Sequence, residues 1–383
     1  MFTKGRYKFY HLNIKNEEIF VKIKARSERV IYEGGIDMTV QGYIGSYTKK
    51  DGKGLYYFEL DEAQNRITQI DTAYELNAST YFDIYKDTLV AITKNDTYSG
   101  VATFKIKSDG QLEKTGECLE SLNGSGCYIA FSPDGQFVFE AVYGEGIARI
   151  YEFDESSQKV VRLIEEVYHE YPKGPNVDRQ DQSHVHYLEV TPEGKYVVAV
   201  DLGADLLVTY HYGAKGLEVA HRTEMQPGDG PRHIAYHQSG KYAYVVNELS
   251  NTVVVMSYQN GQFQPIERHL TIPEAFLQPT KLAAIHLSKD QKFLYISNRG
   301  HDSLAIFKIL EHGAKLQLVD IVSTGDVFPR DFNISPSGQQ LVVAHEQGNS
   351  KVVVFERNIE DGSLTRKDDA AFAAEGVCVK FNA

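Results

Sequence analysis

The sequence contains no tryptophan, only three cysteines and no apolar run near the ~18 residues that a membrane-spanning helix needs. We therefore predict no membrane association. Cys118, Cys127 and Cys378 lack the spacing of a metal site and are too few for a disulfide framework, which favours a reducing, cytoplasmic location.

Basic side chains are fewer than acidic ones, with 40 lysines and arginines against 52 aspartates and glutamates and a net charge of −12. This balance argues against a nucleic-acid binder that relies on overall charge, but it permits a local basic pocket.

Residues 1–37 differ from the rest because they are rich in basic side chains and lie outside the repeats described next. Glu33, Gly34 and Gly35 precede Met38 at a distance at which their codons can form a purine-rich ribosome-binding sequence. We hypothesise that Met38 is the true start and that residues 1–37 are a leader. The alternative is a genuine N-terminal extension of the domain at residues 38–383.

The remaining chain repeats one pattern seven times: an apolar strand, a polar turn and a second apolar strand. The second strands begin at Leu55, Val101, Ile147, Leu206, Thr252, Ser303 and Lys351. The steps between them are 46, 46, 59, 46, 51 and 48 residues. Periods of about 40–50 residues with several short strands each are typical of a β-propeller. The fold class predicted is all-β, a single seven-bladed propeller.

Each repeat supplies four antiparallel strands, here named A to D from the channel outwards. Tight turns such as Ser132-Pro133-Asp134-Gly135 join A to B, because proline and glycine provide the backbone angles that these turns need. The first repeat lacks a strand A. The alternating run from Gly376 to Phe381 fits that place, so we predict that the C-terminal strand closes the ring in the first blade.

This topology predicts where polar residues meet. Strands A and B are antiparallel, so the starts of A and the ends of B lie on one face of the disc. The residues at these places are Cys127, His186, Arg232 and Arg330 on A, with His184 just upstream, and Lys94, Asp201, Glu248, Arg299, His345 and Glu346 on B. The polar residues that interrupt the seven apolar repeats are therefore predicted to lie together at one rim of the channel.

Some of these residues could serve as metal ligands or as links between blades. His184 and His186 alternate on a strand and could bind a metal ion, but no third ligand follows from spacing, and no metal or cofactor is predicted. Arg232 and Arg330 could join neighbouring blades through carboxylates such as Glu248 and Asp201.

Several segments resemble the lactonase family of seven-bladed propellers, which includes the propeller-type bacterial 6-phosphogluconolactonases and carboxymuconate cyclase. The resemblance covers about residues 39–383 and rests on Ser183-His184-Val185-His186, Gly230-Pro231-Arg232-His233, Asn247-Glu248, Ser297-Asn298-Arg299-Gly300 and Phe328-Pro329-Arg330-Asp331. By motif and spacing, the proposed active residues of the cyclase fall on His184, Arg232, Glu248 and Arg299, with His186 competing for the first place.

The resemblance implies hydrolysis of a small anionic sugar lactone, most specifically 6-phosphogluconolactone, in the pentose phosphate pathway. The catalytic residues expected are His184 as base, Glu248 as its orienter or the alternative base, and Arg232 and Arg299 as anion and oxyanion binders. His186, Asp201, His233 and Arg330 are expected to bind substrate. A non-phosphorylated lactone such as a muconolactone, or a non-catalytic interaction propeller, remains the alternative, and the oligomeric state is left open.

Two insertions lengthen the repeat on the same face. The longer one covers residues 169–182 and leads directly into Ser183 and His184, and the shorter one covers residues 271–279. Long loops inside a compact domain are often functional. We predict that the two insertions flank the mouth of the pocket, with Lys173 and Arg179 at the ends of the first.

Overall fold

The computed structural model describes residues 7–14, 17–24 and 39–382, and the chain divides into two compact units after Thr39. The first unit contains an antiparallel hairpin of β1 (Tyr7–Ile14) and β2 (Glu17–Lys24). Met38 lies outside the described residues, so the hypothesis of a start at that position stays a prediction.

The second unit is a seven-bladed β-propeller, as predicted. It contains seven antiparallel sheets of four strands each, and the innermost strands of consecutive blades lie side by side around a central channel. From the channel outwards, the first blade contains β30 (Gly376–Asn382), β3 (Thr39–Ser46), β4 (Gly54–Asp61) and β5 (Arg66–Glu75), and the second contains β6 (Phe82–Tyr85), β7 (Thr88–Lys94), β8 (Ser99–Ile106) and β9 (Leu112–Ser121). The third contains β10 (Tyr128–Phe131), β11 (Phe137–Val142), β12 (Ile147–Asp154) and β13 (Lys159–Tyr168), the fourth contains β14 (Val185–Val190), β15 (Val197–Asp201), β16 (Leu206–Gly213) and β17 (Gly216–Glu224), and the fifth contains β18 (Pro231–Tyr236), β19 (Tyr242–Asn247), β20 (Thr252–Gln259) and β21 (Gln262–Leu270). The sixth contains β22 (Lys281–Leu287), β23 (Phe293–Arg299), β24 (Ser303–Leu310) and β25 (Lys315–Ser323), and the seventh contains β26 (Pro329–Ile334), β27 (Gln340–His345), β28 (Lys351–Arg357) and β29 (Leu364–Phe372).

Helix is nearly missing from the part of the chain that the structure describes, where a single 3₁₀ turn occupies Glu311–Gly313. In the same residues, no helix has both the length and the apolar character needed to cross a membrane.

The ring closes as the sequence predicted. The C-terminal strand β30 pairs with β3, with Gly45 opposite Cys378 and Gln41 opposite Asn382, so the first blade combines one C-terminal and three N-terminal strands. Val379 of β30 is fully buried and packs in a cluster that joins the last blade to the first.

Burial explains why the inner strands read as apolar runs while the outer ones alternate. In β20, for example, Val253, Val254 and Val255 are all buried, because both faces of the blade pack against neighbouring blades. The outermost strands, such as β17, alternate between half-buried and exposed positions because they form the rim of the disc. Apolar clusters between successive blades thus form the core.

Tyrosines link successive blades, which accounts for part of their abundance. A tyrosine on the second strand of one blade donates a hydrogen bond to a glycine carbonyl in the turn before the outermost strand of the next. The pairs are Tyr43 with Gly110 (2.9 Å), Tyr244 with Gly313 (3.0 Å) and Tyr295 with Gly362 (2.9 Å). These glycines have positive φ angles of 79°, 109° and 78°, which side-chain-bearing residues rarely adopt.

Candidate functional site

A cavity of about 440 Å³ lies at one mouth of the channel, where the innermost strand of each blade (strand A) starts and the neighbouring strand B ends. We call it the upper cavity. Its lining consists of Tyr47, Thr80, Ser125, Gly126, Cys127, Tyr143, Gly144, Arg179, His186, Glu248, Lys281, Arg299 and Arg330. The structure therefore brings His186, Glu248, Arg299 and Arg330 together at the rim that the topology indicated.

Backbone bulges present the key side chains of the innermost strands. Where β14 pairs with β15, Val185 lies opposite Asp201 and Tyr187 opposite Val200, which leaves His186 as the extra residue. The same irregularity isolates Arg232 at the start of β18 and Arg330 at the start of β26. A bulge breaks the strict alternation of side chains and redirects one of them, and such bulges are common beside active sites.

Glu248 is the centre of a buried ion cluster. Its Oε1 lies 2.5 Å from Nη2 of Arg179, and its Oε2 lies 3.1 Å from Nε of Arg232 and 2.7 Å from Nη2 of Arg299. Glu248 and Arg232 belong to the fifth blade and Arg299 to the sixth, so it is Arg299 that joins two blades through this carboxylate. Arg232 pairs with Glu248 of its own blade and Arg330 with Glu346 of its own blade, so their ion pairs do not link neighbouring blades as the structural alternative expected.

These charges fix the protonation of the cluster. Burial acts to raise the pKa of Glu248, but Arg299, Arg232 and Arg179 outweigh it and hold the pKa well below the ordinary value. A carboxylate that is so firmly ionised and so fully hydrogen-bonded is a poor proton acceptor. Glu248 is therefore better suited to orienting the arginines than to acting as a base.

His186 and His184 occupy different surroundings. The ring of His186 lines the upper cavity, and its buried Nδ1 has no hydrogen-bond partner among the residues that the structure describes. Burial, followed by the charges of Arg232 and Arg330, lowers the pKa of His186 well below its usual value, so the imidazole is neutral. His186 is therefore a neutral side chain at the cavity wall, and its protonation depends on the charges that surround it.

His184 lies behind the cavity wall. Its ring stacks on Tyr143 at 4.3 Å between centroids, Nδ1 donates to the Tyr143 carbonyl at 2.8 Å, and Nε2 lies 2.9 Å from Asp181. Both nitrogens are thus occupied, and His184 does not line the cavity. In the described ranges, no three histidine, cysteine or acidic side chains are grouped so that they could hold a metal ion.

Arg330 offers a cation to the cavity. Its Nη1 lies 3.4 Å from Oε2 of Glu346, and its guanidinium carbon lies 5.4 Å from the centre of the Tyr47 ring. Burial acts against the charge, but the neighbouring Tyr47 and Glu346 raise the pKa of Arg330 above its ordinary value. Arg330 therefore stays charged beside His186.

Cys127 contributes no nucleophile to this wall. Burial raises the pKa of its thiol to about 12, so the reactive thiolate is not populated at neutral pH.

Besides His184, three residues expected at the site do not line the upper cavity: Asp201, Arg232 and His233. Asp201 is buried. Its carboxylate lies 2.9 Å from Nδ1 of His169 and accepts a hydrogen bond of 2.8 Å from the backbone N–H of His184. Arg232 is buried beneath the cavity and donates to Glu248 and to the Ala283 carbonyl. Their direct contact with substrate, as the resemblance implied, has no support in this geometry.

His233 faces the opposite mouth of the channel. It lines a second cavity of about 610 Å³ there, and its ring centroid lies 5.1 Å from that of Tyr128 and 5.3 Å from that of His186. His233 therefore separates the two cavities rather than facing the upper one.

The lining also contains residues that sequence reasoning did not assign to the site. Tyr143 directly follows β11, at the same place in its blade as Glu248 in the fifth, so the spacing of the repeats could have found it. Tyr47 follows β3 in the same way. Lys281 starts β22, two residues after the end of the second insertion, and only its position beside that insertion signals its place in the lining.

Replacing Arg232 by lysine tests the buried part of the cluster. Lysine cannot donate to both Glu248 and the Ala283 carbonyl in the fixed geometry of a guanidinium. We expect Arg232→Lys to lower the free energy of unfolding by about 1–3 kcal/mol and to reduce kcat/KM as well. The matched control is Arg222→Lys on the exposed rim, expected to change stability by less than about 0.5 kcal/mol. Equal melting temperatures for both variants would contradict a supporting role for Arg232.

Comparison with known proteins agrees with the fold. An uncharacterized protein of Staphylococcus saprophyticus is 55% identical over 344 residues, which are 90% of this chain and 99% of the relative. The periplasmic gluconolactonase of Pseudomonas aeruginosa is 25% identical, with a TM-score of 0.83 over 90% of this chain and 99% of that one. A Bacteroides fragilis structure named "putative 6-phosphogluconolactonase" is 27% identical, with a TM-score of 0.83 over 91% of this chain and 99% of that one.

The pattern of the lactonase family with seven-bladed β-propeller fold matches residues 41–381, which covers every blade described above. This chain belongs to the lactonase family of seven-bladed β-propellers.

Proposed function

We propose that the upper cavity hydrolyses a sugar lactone, and that the substrate is 6-phosphogluconolactone, converted to 6-phosphogluconate in the pentose phosphate pathway. One observation carries the proposal: four cationic side chains, Arg179, Lys281, Arg299 and Arg330, line one cavity of a chain whose net charge is −12. A phosphorylated lactone carries a charge of about −2 at neutral pH, and only a local cationic field attracts it to an acidic protein.

The residues at the cavity suit ester hydrolysis. His186 accepts a proton from a water molecule as the water oxygen adds to the lactone carbonyl carbon. Arg299 and Arg330 stabilise the negative charge that develops on the carbonyl oxygen. The ring C–O bond then breaks, and the imidazolium of His186 returns its proton to the departing ring oxygen. The product is the open hydroxy acid, which ionises.

The low pKa of His186 is compatible with this role. Arg232 and Arg330 contribute to it, so an anion bound beside the arginines offsets their charge and raises the pKa of His186 in the complex. In this proposal, the role of base passes from His184 to His186, and His184 positions Tyr143 in the cavity wall.

The names of two similar structures support a lactone substrate, since one is a gluconolactonase and the other is named for the phosphorylated lactone. We also propose that the reaction takes place in the cytoplasm, because Cys118, Cys127 and Cys378 are all free thiols, as a reducing compartment favours.

A spectrophotometric assay of acid release tests the proposal with three lactones: 6-phosphogluconolactone, unphosphorylated gluconolactone and a muconolactone. We expect the highest kcat/KM for the phosphorylated sugar after subtraction of spontaneous hydrolysis. Preference for muconolactone would indicate that the arginines bind a carboxylate of the substrate rather than a phosphate group. Failure to hydrolyse any of the three would favour a non-catalytic interaction propeller.

The pH dependence of kcat/KM provides a separate prediction about His186. An ordinary histidine loses its basic form as the pH falls through about 6.5. Because the pKa of His186 is lower in the free protein, we expect kcat/KM to stay constant from pH 8 to below pH 6.5 and to fall only at more acidic pH. A decline centred at pH 6.5 or above would contradict the assignment of His186 as the base.

A further inference from the structure

Two loops that lie outside the propeller repeat each bring one cation to the upper cavity. The first joins β13 to β14, where the repeat step is 59 residues instead of the usual 46, and it carries Arg179. The second joins β21 to β22 and is followed directly by Lys281. Both side chains line the cavity, so the insertions alter its charge rather than only its shape.

The first loop holds Arg179 on a fixed platform. The backbone N–H groups of Arg179 and Gln180 donate to the Asn176 carbonyl at 3.1 and 2.7 Å. The buried side-chain amide of Gln180 donates to the Leu202 carbonyl at 2.9 Å, and Gly174 N–H donates to the Gly203 carbonyl at 2.8 Å. The loop is thus attached to the turn after β15, and Arg179 starts from a defined backbone position.

Arg179 is the accessible member of the three arginines on Glu248. Its side chain is 26% exposed, against 3% for Arg232 and 5% for Arg299. The two positive charges of Arg232 and Arg299 already exceed the single negative charge of Glu248. The charge of Arg179 is therefore surplus to the cluster, and its position permits contact with a ligand in the cavity.

Lys281 and Arg179 line the same cavity, so both cationic groups face one space. Burial, followed by the charge of Arg179, lowers the pKa of Lys281. Two cations that repel each other are stabilised by an anion bound between them, and arginine with lysine is a common pair for a phosphate group.

We propose that Arg179 and Lys281 form a subsite for the phosphate group of the substrate, while His186, Arg299 and Arg330 act on the lactone carbonyl. This inference rests on the proposed function, because it divides the same cavity into a phosphate end and a reacting end. It makes the two insertions the part of the chain that selects phosphorylated over unphosphorylated lactones.

The test compares selectivity, defined as kcat/KM for 6-phosphogluconolactone divided by kcat/KM for gluconolactone. We expect Arg179→Gln and Lys281→Gln each to lower this ratio by about 10- to 100-fold, mainly through a higher KM for the phosphorylated lactone. The control is Lys173→Gln, because Lys173 lies in the same loop but does not line the upper cavity, and its ratio should match the wild type. Equal losses for both lactones would overturn the subsite and leave Arg179 as a partner of Glu248 alone.

A binding measurement separates this inference from the proposed function. Titration calorimetry with inorganic phosphate should show binding to the wild-type protein and loss of that binding in the Arg179→Gln variant. Binding that depends on Arg179 would support the subsite even if no lactone is hydrolysed, in which case only the proposed function fails. Phosphate binding that is the same in both proteins, or no phosphate binding at all, would overturn the subsite.

Discussion

Deletion of residues 377–383 is expected to yield insoluble protein or a melting temperature lowered by well over ten degrees. The deletion removes all but the first residue of β30, including Val377, Cys378 and Val379, which are buried. Loss of their burial alone costs about 5 kcal/mol, a large part of the 5–15 kcal/mol that stabilises a typical domain. It also leaves β3 as an unpaired edge beside an exposed apolar face.

The deletion of Ala383 alone is the control, because it keeps every residue of β30. We expect its melting curve, followed by circular dichroism, to match that of the full chain. Normal melting of the longer deletion would mean that the ring does not depend on β30 for closure.

Replacement of His186 by asparagine is expected to have the largest effect on activity. Removal of a general base reduces kcat by about 10²- to 10⁴-fold. The fold should tolerate the change, because Nδ1 of His186 has no hydrogen-bond partner to lose within the described part of the chain. Steady-state kinetics on the phosphorylated lactone, together with thermal unfolding, measures both effects.

His184→Asn is the matched control for this variant, since the two histidines are two residues apart. His184 contacts Tyr143 and Asp181 rather than the cavity, so we expect a loss of kcat below about tenfold. We also expect a lower melting temperature, because the imidazole's two hydrogen bonds and its ring contact are removed or weakened. A larger loss of kcat for His184→Asn than for His186→Asn would restore His184 as the base.

Most of the fold could be predicted because its determinants are local and repeated. Residues such as Val253 to Val255 lie in strands buried on both faces, which read as apolar runs, and glycine-containing turns separate the strands at regular intervals. The closing strand could be predicted too, because the first repeat lacked an inner strand and residues 376–381 had no other place in the ring.

The site was predictable only in part, because small departures from regular geometry decide which side chain faces the cavity. Strict alternation places His184 and His186 on the same side of a strand, whereas β14 begins after His184 and a bulge isolates His186. Arg232 is also a bulge residue, yet it is buried under Glu248, which no spacing rule reveals. Arg179 enters from a loop whose path depends on hydrogen bonds to the turn after β15.

A crystal structure with bound 6-phosphogluconate tests the central claim most directly, since the product carries both the phosphate and the carboxylate formed by lactone opening. Our account predicts that the product occupies the upper cavity, with its carboxylate at Arg299, Arg330 and His186 and its phosphate between Arg179 and Lys281. Binding of the product at the opposite mouth beside His233, or its absence from the upper cavity at saturating concentration, would contradict the account.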